Sequence, residues 1–366
     1  MFTFQNIYKA YKQCRKNKTN TINALKFEQN LLENLWELHR VLNAKQYTIG
    51  KSLCFLTSSP KLREVFASDF RDRVVHHILV DALEPLFERK FIHDVYNNRK
   101  GRGTHMAVAK AKRYMNQTPH GYYLQLDIKG FFYNLDKQIL MEKIKHEVVG
   151  SSLDVSSILY LAHKIVWHDP TKHYIFKGDK VKLSLLPAHK TLFKIPKHKG
   201  LPIGNLTSQF FANVYMNDFD NFVKRKLKVK RYIRYVDDFV LFDESKERLE
   251  YLKKEIEQYL SEMLHLTLRE DTKLKKHTEG LDFLGYIIRP DYMLVRQRVV
   301  NNYKKKKASY LDNYERQKGK MSLVEIKQFL SVQASFAGHI KHANSYNLLN
   351  KVGQIDEKNP FDYDRA

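Results

Sequence analysis

Apolar residues in this chain recur with two periods, one near 3.6 and one of 2, and the alternation between them predicts a mixed α+β protein. After Thr19, Asn20 and Thr21, all good N-cap residues, Leu25, Leu32, Leu35, Trp36 and Leu42 fall close to helical spacing and predict an amphipathic helix. Helical periodicity returns in FRDRVVHHILVDALEPLFERKF (70–91), led by Arg71 and Arg73. NNRKGRGTHMAVAKAKRYM (97–115) reads as a short glycine-containing loop running into a helix. GYYLQLDIKGFFYNLD (121–136) sets Tyr123, Gln125 and Asp127 against Leu124, Leu126 and Ile128, a strand with Asp127 near its end. GLPIGNLTSQFFANVYMNDFD (200–220) is a Pro/Gly turn leading into a helix. In KRYIRYVDDFVLF (230–242) two alternating runs flank Asp237 and Asp238, which predicts a β-hairpin with the acidic pair at its turn. Leu249, Leu252, Ile256, Tyr259, Leu260 and Met263 mark a further helix, 266–268 a strand, and GLDFLGYII (280–288) a short apolar hairpin. Beyond Arg296 the pattern is helical, with Ser322 and Glu325 at capping-box spacing before Ile326, Phe329, Leu330 and Phe336.

Charge changes this picture more than composition does. A hydrophobic fraction of 43% over 366 residues supports a real core, in one large domain or two. The formal charge of +24, spread along the whole chain rather than gathered in a tail, is the field of a protein that meets a polyanion. The 22 Tyr and 22 Phe serve mostly as core and add faces on which bases can stack. Cys14 and Cys54 form no paired pattern, which predicts neither a disulfide framework nor a zinc site, and a reducing compartment. No apolar run approaches a membrane span and the amino terminus lacks a signal-peptide core, so the expected address is cytoplasmic. His76, His77, His163, His168 and His173 fit no metal-ligand spacing and read as core, surface or phosphate-contacting residues.

Against that background the carboxylates acquire a use. Taken alone, Asp237 and Asp238 are an ordinary acidic turn, and Asp127 is an ordinary cap at a strand end. Together the three are what a two-metal phosphoryl-transfer site requires, with two Mg²⁺ roughly 4 Å apart bridged by acidic oxygens. The loop bearing Arg99, Lys100 and Arg102 before a helix start could take a triphosphate, or be no more than a basic turn. Arg71, Arg73 and the run Lys304, Lys305, Lys306 and Lys307 are candidate phosphate contacts, each with a solvated face as its plain alternative. The Lys- and His-rich segment 151–199 reads as a hairpin or loop insertion bordering a nucleic-acid channel.

The ordered motifs from about Arg71 to about Ile288 resemble a prokaryotic reverse transcriptase related to group II intron enzymes. QLDIKGFF resembles motif A, GLPIGNLTSQ motif B, YVDD motif C, and GLDFLGY the primer grip, with Phe283, Leu284 and Gly285 at its turn. The resemblance implies a right-hand polymerase: an N-terminal helical extension over 1–68, fingers over 69–120 and 137–200, palm over 121–136 and 201–295, and a helical thumb over 296–366. It implies Asp127, Asp237 and Asp238 as ligands of two Mg²⁺, with the Ile128 backbone carbonyl joining them and Mn²⁺ an in vitro substitute. It places Arg99, Phe132, Ile203, Gly204, Gln209 and Lys273 around the incoming dNTP, with Phe132 as the aromatic plate that a ribose 2′-hydroxyl would strike.

Motif B departs from the usual form. Ile203 stands before Gly204 where most relatives carry Gln, and the motif ends in Ser208-Gln209 rather than Ser-Pro. IGNLTSQ resembles the enzymes of diversity-generating retroelements, bacterial or phage-encoded, which copy a template-repeat RNA into cDNA with errors at adenines. That resemblance implies template RNA, cDNA and a basic oligomeric accessory protein as partners. The alternatives are a group II intron or retron enzyme without mutagenic bias, for whose full endonuclease domain the carboxyl-terminal region is expected to be too short, and a catalytically silent RNA-binding scaffold.

Overall fold

The computed structural model describes every residue except 17, 19–20, 59–60, 319 and 349–366, so the proposed caps Thr19 and Asn20 and the end of the expected thumb lie outside the described residues. Two units emerge: Met1–Lys100, Gln125–Phe239 and Glu250–Thr272 form the first, and Gly101–Leu124, Val240–Leu249 and Lys273–Ala366 the second.

The first unit begins with a helix that the periodicity above did not single out. In α1 (Phe4–Arg15) the Thr3 hydroxyl accepts from the Asn6 N–H, and Ile7, Ala10, Tyr11 and Cys14 turn one buried face inward. The expected helix after Thr21 is two helices, α2 (Ile22–Gln29) and α3 (Leu31–Asn43), broken at Asn30, whose backbone leaves the helical region at φ −124°, ψ 51°. The break splits the apolar stripe: Leu35 and Leu42 are buried, whereas Leu32 and Trp36 stay 65% and 55% exposed. Residues 52–67, inside the stretch expected to be helical, form the antiparallel pair β1 (Ser52–Thr57) and β2 (Arg63–Ala67), with Cys54 opposite Phe66. Both cysteines are free and buried. Helix α4 (Phe70–Glu88), capped by Asp69, is buried on most of its circumference because α1 packs on it from one side and a later helix from another.

Helix α5 (Thr104–Gln117) belongs to the second unit, and strand β3 (Tyr122–Asp127) ends on Asp127 as its alternation predicts. A single turn, α6 (Phe131–Asn134), then leads to α7 (Lys137–Val149) and α8 (Val155–Val166), which pack together. The segment 151–199 is not a hairpin. Its one strand, β4 (Tyr174–Lys177), lies parallel to β1 with Ile175 opposite Leu53, a pairing that needs a long connection rather than a tight turn. A short helix, α9 (Lys180–Ser184), follows.

Helix α10 (Leu206–Asn221) buries Phe210, Phe211, Val214, Tyr215 and Phe219 against α4 and α7. Strands β5 (Arg231–Tyr235) and β6 (Asp238–Asp243) make the acidic hairpin, followed by α11 (Lys246–Leu264). The turn consists of Val236 and Asp237, and Asp238 already opens β6, one residue earlier than the sequence pattern suggests. Strand β7 (Lys273–Lys276) completes a four-stranded sheet in the order β5-β6-β3-β7. The strand expected at 266–268 is only an isolated bridge, Leu268 opposite Ile128, because three residues offer too few ladder bonds to continue.

In the second unit β8 (Leu281–Phe283) and β9 (Tyr286–Ile288) form the predicted hairpin through Leu284 and Gly285, at φ 50° and 93°. Positive φ at both turn residues matches the right-handed twist of the strands they join. Strand β10 (Met293–Val295) pairs with β9. Helices α12 (Gln297–Arg316) and α13 (Leu323–Ile340) close on each other through the stacked rings of Tyr303 and Phe336, 4.0 Å apart, and the capping box of Ser322 and Glu325 forms as its spacing predicts. No described helix is long and apolar enough to cross a membrane.

Candidate active site

Backbone pairing brings the two acidic segments together. The Ile128 N–H donates to the Asp237 carbonyl at 3.3 Å, and the Arg269 N–H donates to the Asp127 carbonyl at 2.8 Å, so the end of β3 is held between the hairpin turn and the 267–269 segment. The Asp127 carboxyl is pushed up to about 6, first by burial and then by the charge of Asp237, against the opposing pull of Arg269 and Lys61. Burial likewise raises the Asp237 carboxyl, opposed by a backbone hydrogen bond and by Arg63, Lys61 and Arg234. Two carboxylates that each resist ionisation are a site short of positive charge, which a divalent cation could supply.

Asp238 is differently engaged: the Gln125 amide donates to its carboxylate at 3.1 Å. Among the described residues no group of three His, Cys, Asp or Glu side chains is disposed to hold a metal. A cation held by Asp127 and Asp237 would have to complete its shell from water, substrate oxygens or backbone carbonyls such as that of Ile128. Mg²⁺ is usually bound this way, by one or two carboxylates plus phosphate.

The nucleotide-side candidates fall into three groups. Phe132, half-buried on α6, is tied to motif B because its carbonyl accepts from the Leu201 N–H at 2.8 Å. Ile203 accepts from the Phe66 N–H at 2.9 Å, which fastens the same loop to β2. Gly204, at φ +120°, lies so close to β2 that a Cβ would stand 2.7 Å from Val65 Cγ1 and 3.2 Å from the Phe66 carbonyl, so only glycine fits. Gln209 is exposed on α10.

Arg99 is a different case. Its guanidinium is turned inward, bidentate to Glu88 and donating to the Ile92 and Val95 carbonyls, over the Phe91 ring. The cations that lower the carboxylates are instead Arg269 and Lys61 at Asp127, and Arg63, Lys61 and Arg234 at Asp237, with Lys61 just before β2 and Arg63 at its start. The sequence signal is a KLR triplet between two short runs rich in aliphatic and aromatic residues, inside the 1–68 stretch that the resemblance assigns to a helical extension.

A cavity of about 360 Å³ is lined by Lys129, Gly130, His189, Lys190, Arg269, Glu270 and Asp271, so the 151–199 segment lends His189 and Lys190 to the surroundings of Asp127. Arg71 donates to the Thr48 carbonyl and Arg73 to the Ser68 carbonyl, which leaves each guanidinium partly committed to the protein.

The second unit holds Arg102, Lys273, the turn Phe283–Leu284–Gly285 and the lysine run. There Lys304, Lys305 and Lys306 are exposed on α12, while Lys307 is buried. Lys306 lines an open cavity of about 840 Å³ with His105, His339, Lys341 and His342. No acidic side chain lines it, which suits a phosphate-bearing ligand.

A strand-end carboxylate beside a second on a hairpin turn, with cations facing both, is an arrangement that can hold a metal against a nucleoside triphosphate: the chemistry of a nucleotidyl transferase. The chain belongs to the reverse transcriptase family, matching "Reverse transcriptase (RNA-dependent DNA polymerase)" over residues 57–288, and is an enzyme of the RNA-directed DNA polymerase class, whose members use divalent metal ions. It is 24% identical to Protein YkfC of Escherichia coli (strain K12) over 288 residues, covering 69% of this chain and 70% of that one. It is 22% identical over 295 residues to the group II intron-encoded protein LtrA of Lactococcus lactis subsp. cremoris, covering 63% of this chain but only 45% of LtrA. Among solved structures it is similar to the truncated apo telomerase from Candida tropicalis, with a TM-score of 0.49, 12% identity and coverage of 68% of this chain and 55% of that one.

Proposed function

We propose that this chain is an RNA-templated DNA polymerase of the diversity-generating kind, copying a template-repeat RNA into cDNA with errors at adenines to diversify a target gene. The observation that carries the polymerase reading is the pairing of Asp127 with Asp237, two carboxylates raised by burial and, at Asp127, by the charge of its partner. When bound, Mg²⁺ ions supply Lewis-acid activation of a primer 3′-hydroxyl and neutralise the triphosphate. Asp127 and Asp237 hold them, Lys61 and Arg63 face the phosphates, and Phe132 stands under the sugar, where a 2′-hydroxyl would clash. In this reading the 121–136 and 201–295 segments are the palm, α12 and α13 the thumb, and Leu284–Gly285 the grip on the primer.

The mutagenic part rests on Ile203. A branched apolar side chain in place of a hydrogen-bonding Gln removes polar contacts whose loss penalises a misplaced nucleotide. Its carbonyl anchors the loop to β2 and the loop in turn anchors Phe132, so a change of side chain at 203 acts on base selection without loosening the loop. Primer extension on a defined RNA, followed by sequencing of the cDNA, tests both parts. Tight RNA binding without extension would sink the polymerase reading in favour of a silent scaffold. Extension with an error spectrum unchanged by Ile203→Gln would remove Ile203 as the cause. The similarity to a group II intron-encoded protein favours a second reading, faithful copying, in which wild-type errors show no excess at adenine. Under the first reading a basic oligomeric accessory protein is the expected partner.

A further inference from the structure

The turn that carries Asp237 is strained at the residue before it. Val236 has φ 61°, in the left-handed region, where a β-branched residue is a genuine outlier. Both of its backbone polar groups are caught by side chains: its N–H donates to Asn97 Oδ1 at 2.9 Å, and its carbonyl accepts from Arg234 Nη1 at 2.9 Å. Neither captor is free to move. Asn97 and Asn213 exchange hydrogen bonds at 2.9 Å each, Arg234 also donates to Asn213 Oδ1 at 3.3 Å, and Arg234 grips Asp220 bidentately at 2.8 and 2.6 Å. Tyr232 adds its hydroxyl to Asp220 at 2.8 Å. Arg234, Asp220 and Asn213 are completely buried.

We propose that this network of Asn97, Asn213, Asp220 and Arg234 is a positioning device: it holds Val236 in left-handed backbone and so aims the Asp237 carboxylate at the metal. The proposal rests on the polymerase reading only for what the metal does, not for whether it binds. A buried ion pair is a poor way to stabilise a fold, since well-packed apolar residues usually do as well or better. Apolar residues cannot offer both a donor and an acceptor to one strained peptide, and strain persists only where its surroundings over-determine it. The three elements involved are the 94–98 segment, α10 and β5, so the aim of Asp237 is set by the core rather than by the turn alone.

The test is Mn²⁺ binding to the full chain by electron paramagnetic resonance, without nucleotide or nucleic acid, alongside thermal melting and the Mg²⁺ dependence of primer extension. Asn97→Ala should weaken Mn²⁺ binding about ten- to a hundredfold, as loss of a supporting shell commonly does, and shift extension to correspondingly higher Mg²⁺. Asn97→Ala combined with Val236→Gly should recover most of that affinity, because glycine adopts positive φ without a Cβ penalty. Val236→Pro, which forces φ to about −65° and removes the N–H that donates to Asn97 while leaving every network side chain in place, should lose it. Unchanged Mn²⁺ affinity in folded Asn97→Ala or in Val236→Pro would overturn the proposal, as would a double variant no better than the single one. Absent extension with these binding shifts intact would count against the polymerase reading alone.

Discussion

Arg269 Nη1 stands 3.6 Å from the Asp127 carboxylate while its Nε and Nη2 hold Asp271 bidentately at 2.8 and 2.9 Å. The guanidinium thus lends Asp127 part of a counter-charge without closing on it, and both side chains remain partly open to solvent. Asp127 keeps a carboxyl raised to about 6, and its ionised form is costly to the fold.

Removing that charge should separate stability from activity. The unfolded pKa is near 3.9, so the folded state binds the proton more tightly, and ionised Asp127 destabilises the protein above about pH 6. Asp127→Asn should abolish primer extension yet raise the melting temperature by a few degrees at pH 7.5. The gain should fade as pH falls from about 6 to about 4 and be absent below that, where Asp127 is protonated in both states. Melting curves across that range check the sign.

Activity should carry an acid limb from the same group. With Asp127 ionised only above about 6, kcat/KM at low Mg²⁺ should fall up to tenfold per pH unit below that value. Higher Mg²⁺ competes with the proton and should move the limb to lower pH. Arg269→Gln removes a charge that favours ionisation and should move it to higher pH.

Lys61 and Arg99 should behave oppositely. Lys61→Ala or Arg63→Ala removes a cation that faces the carboxylates, and should raise the KM for dNTP roughly ten- to a hundredfold with little change in melting temperature. Arg99→Ala strands two carbonyls and Glu88, which is 41% exposed, and should cost about 1–3 kcal/mol of stability with the KM for dNTP unaltered. Steady-state kinetics and melting on the same preparations distinguish them.

The lysine run should divide three to one. Replacing Lys304, Lys305 or Lys306 with Ala should each lower the slope of log K against log salt for primer–template binding by about 1. Lys307, buried on the same helix, should leave the slope alone and lower the melting temperature instead. Anisotropy titrations over a salt series measure the slopes.

How much of this was legible depended on how far apart the interacting residues lie. The β3 strand, the two hairpins, α4, α10, α11 and the Ser322–Glu325 box could be read because periodicity and turn chemistry are local properties. The break at Asn30 was not, because helical spacing around Leu32 and Trp36 imitates a buried stripe that the folded chain leaves exposed, and the β1–β2 pair fell within the 1–68 extension expected to be helical.

The sequence by itself determined which chemistry was on offer: a carboxylate ending a strand, a second in a hairpin turn, and a phenylalanine five residues past the first. Only the tertiary structure decided which side chains face them. Arg99 turns inward because Glu88 and two carbonyls satisfy it, whereas the charge of Lys61 is felt at Asp127. Val236 is held left-handed by Asn97, 139 residues earlier in the chain, a partner that no local pattern names because its hydrogen bond exists only once the core has closed around it.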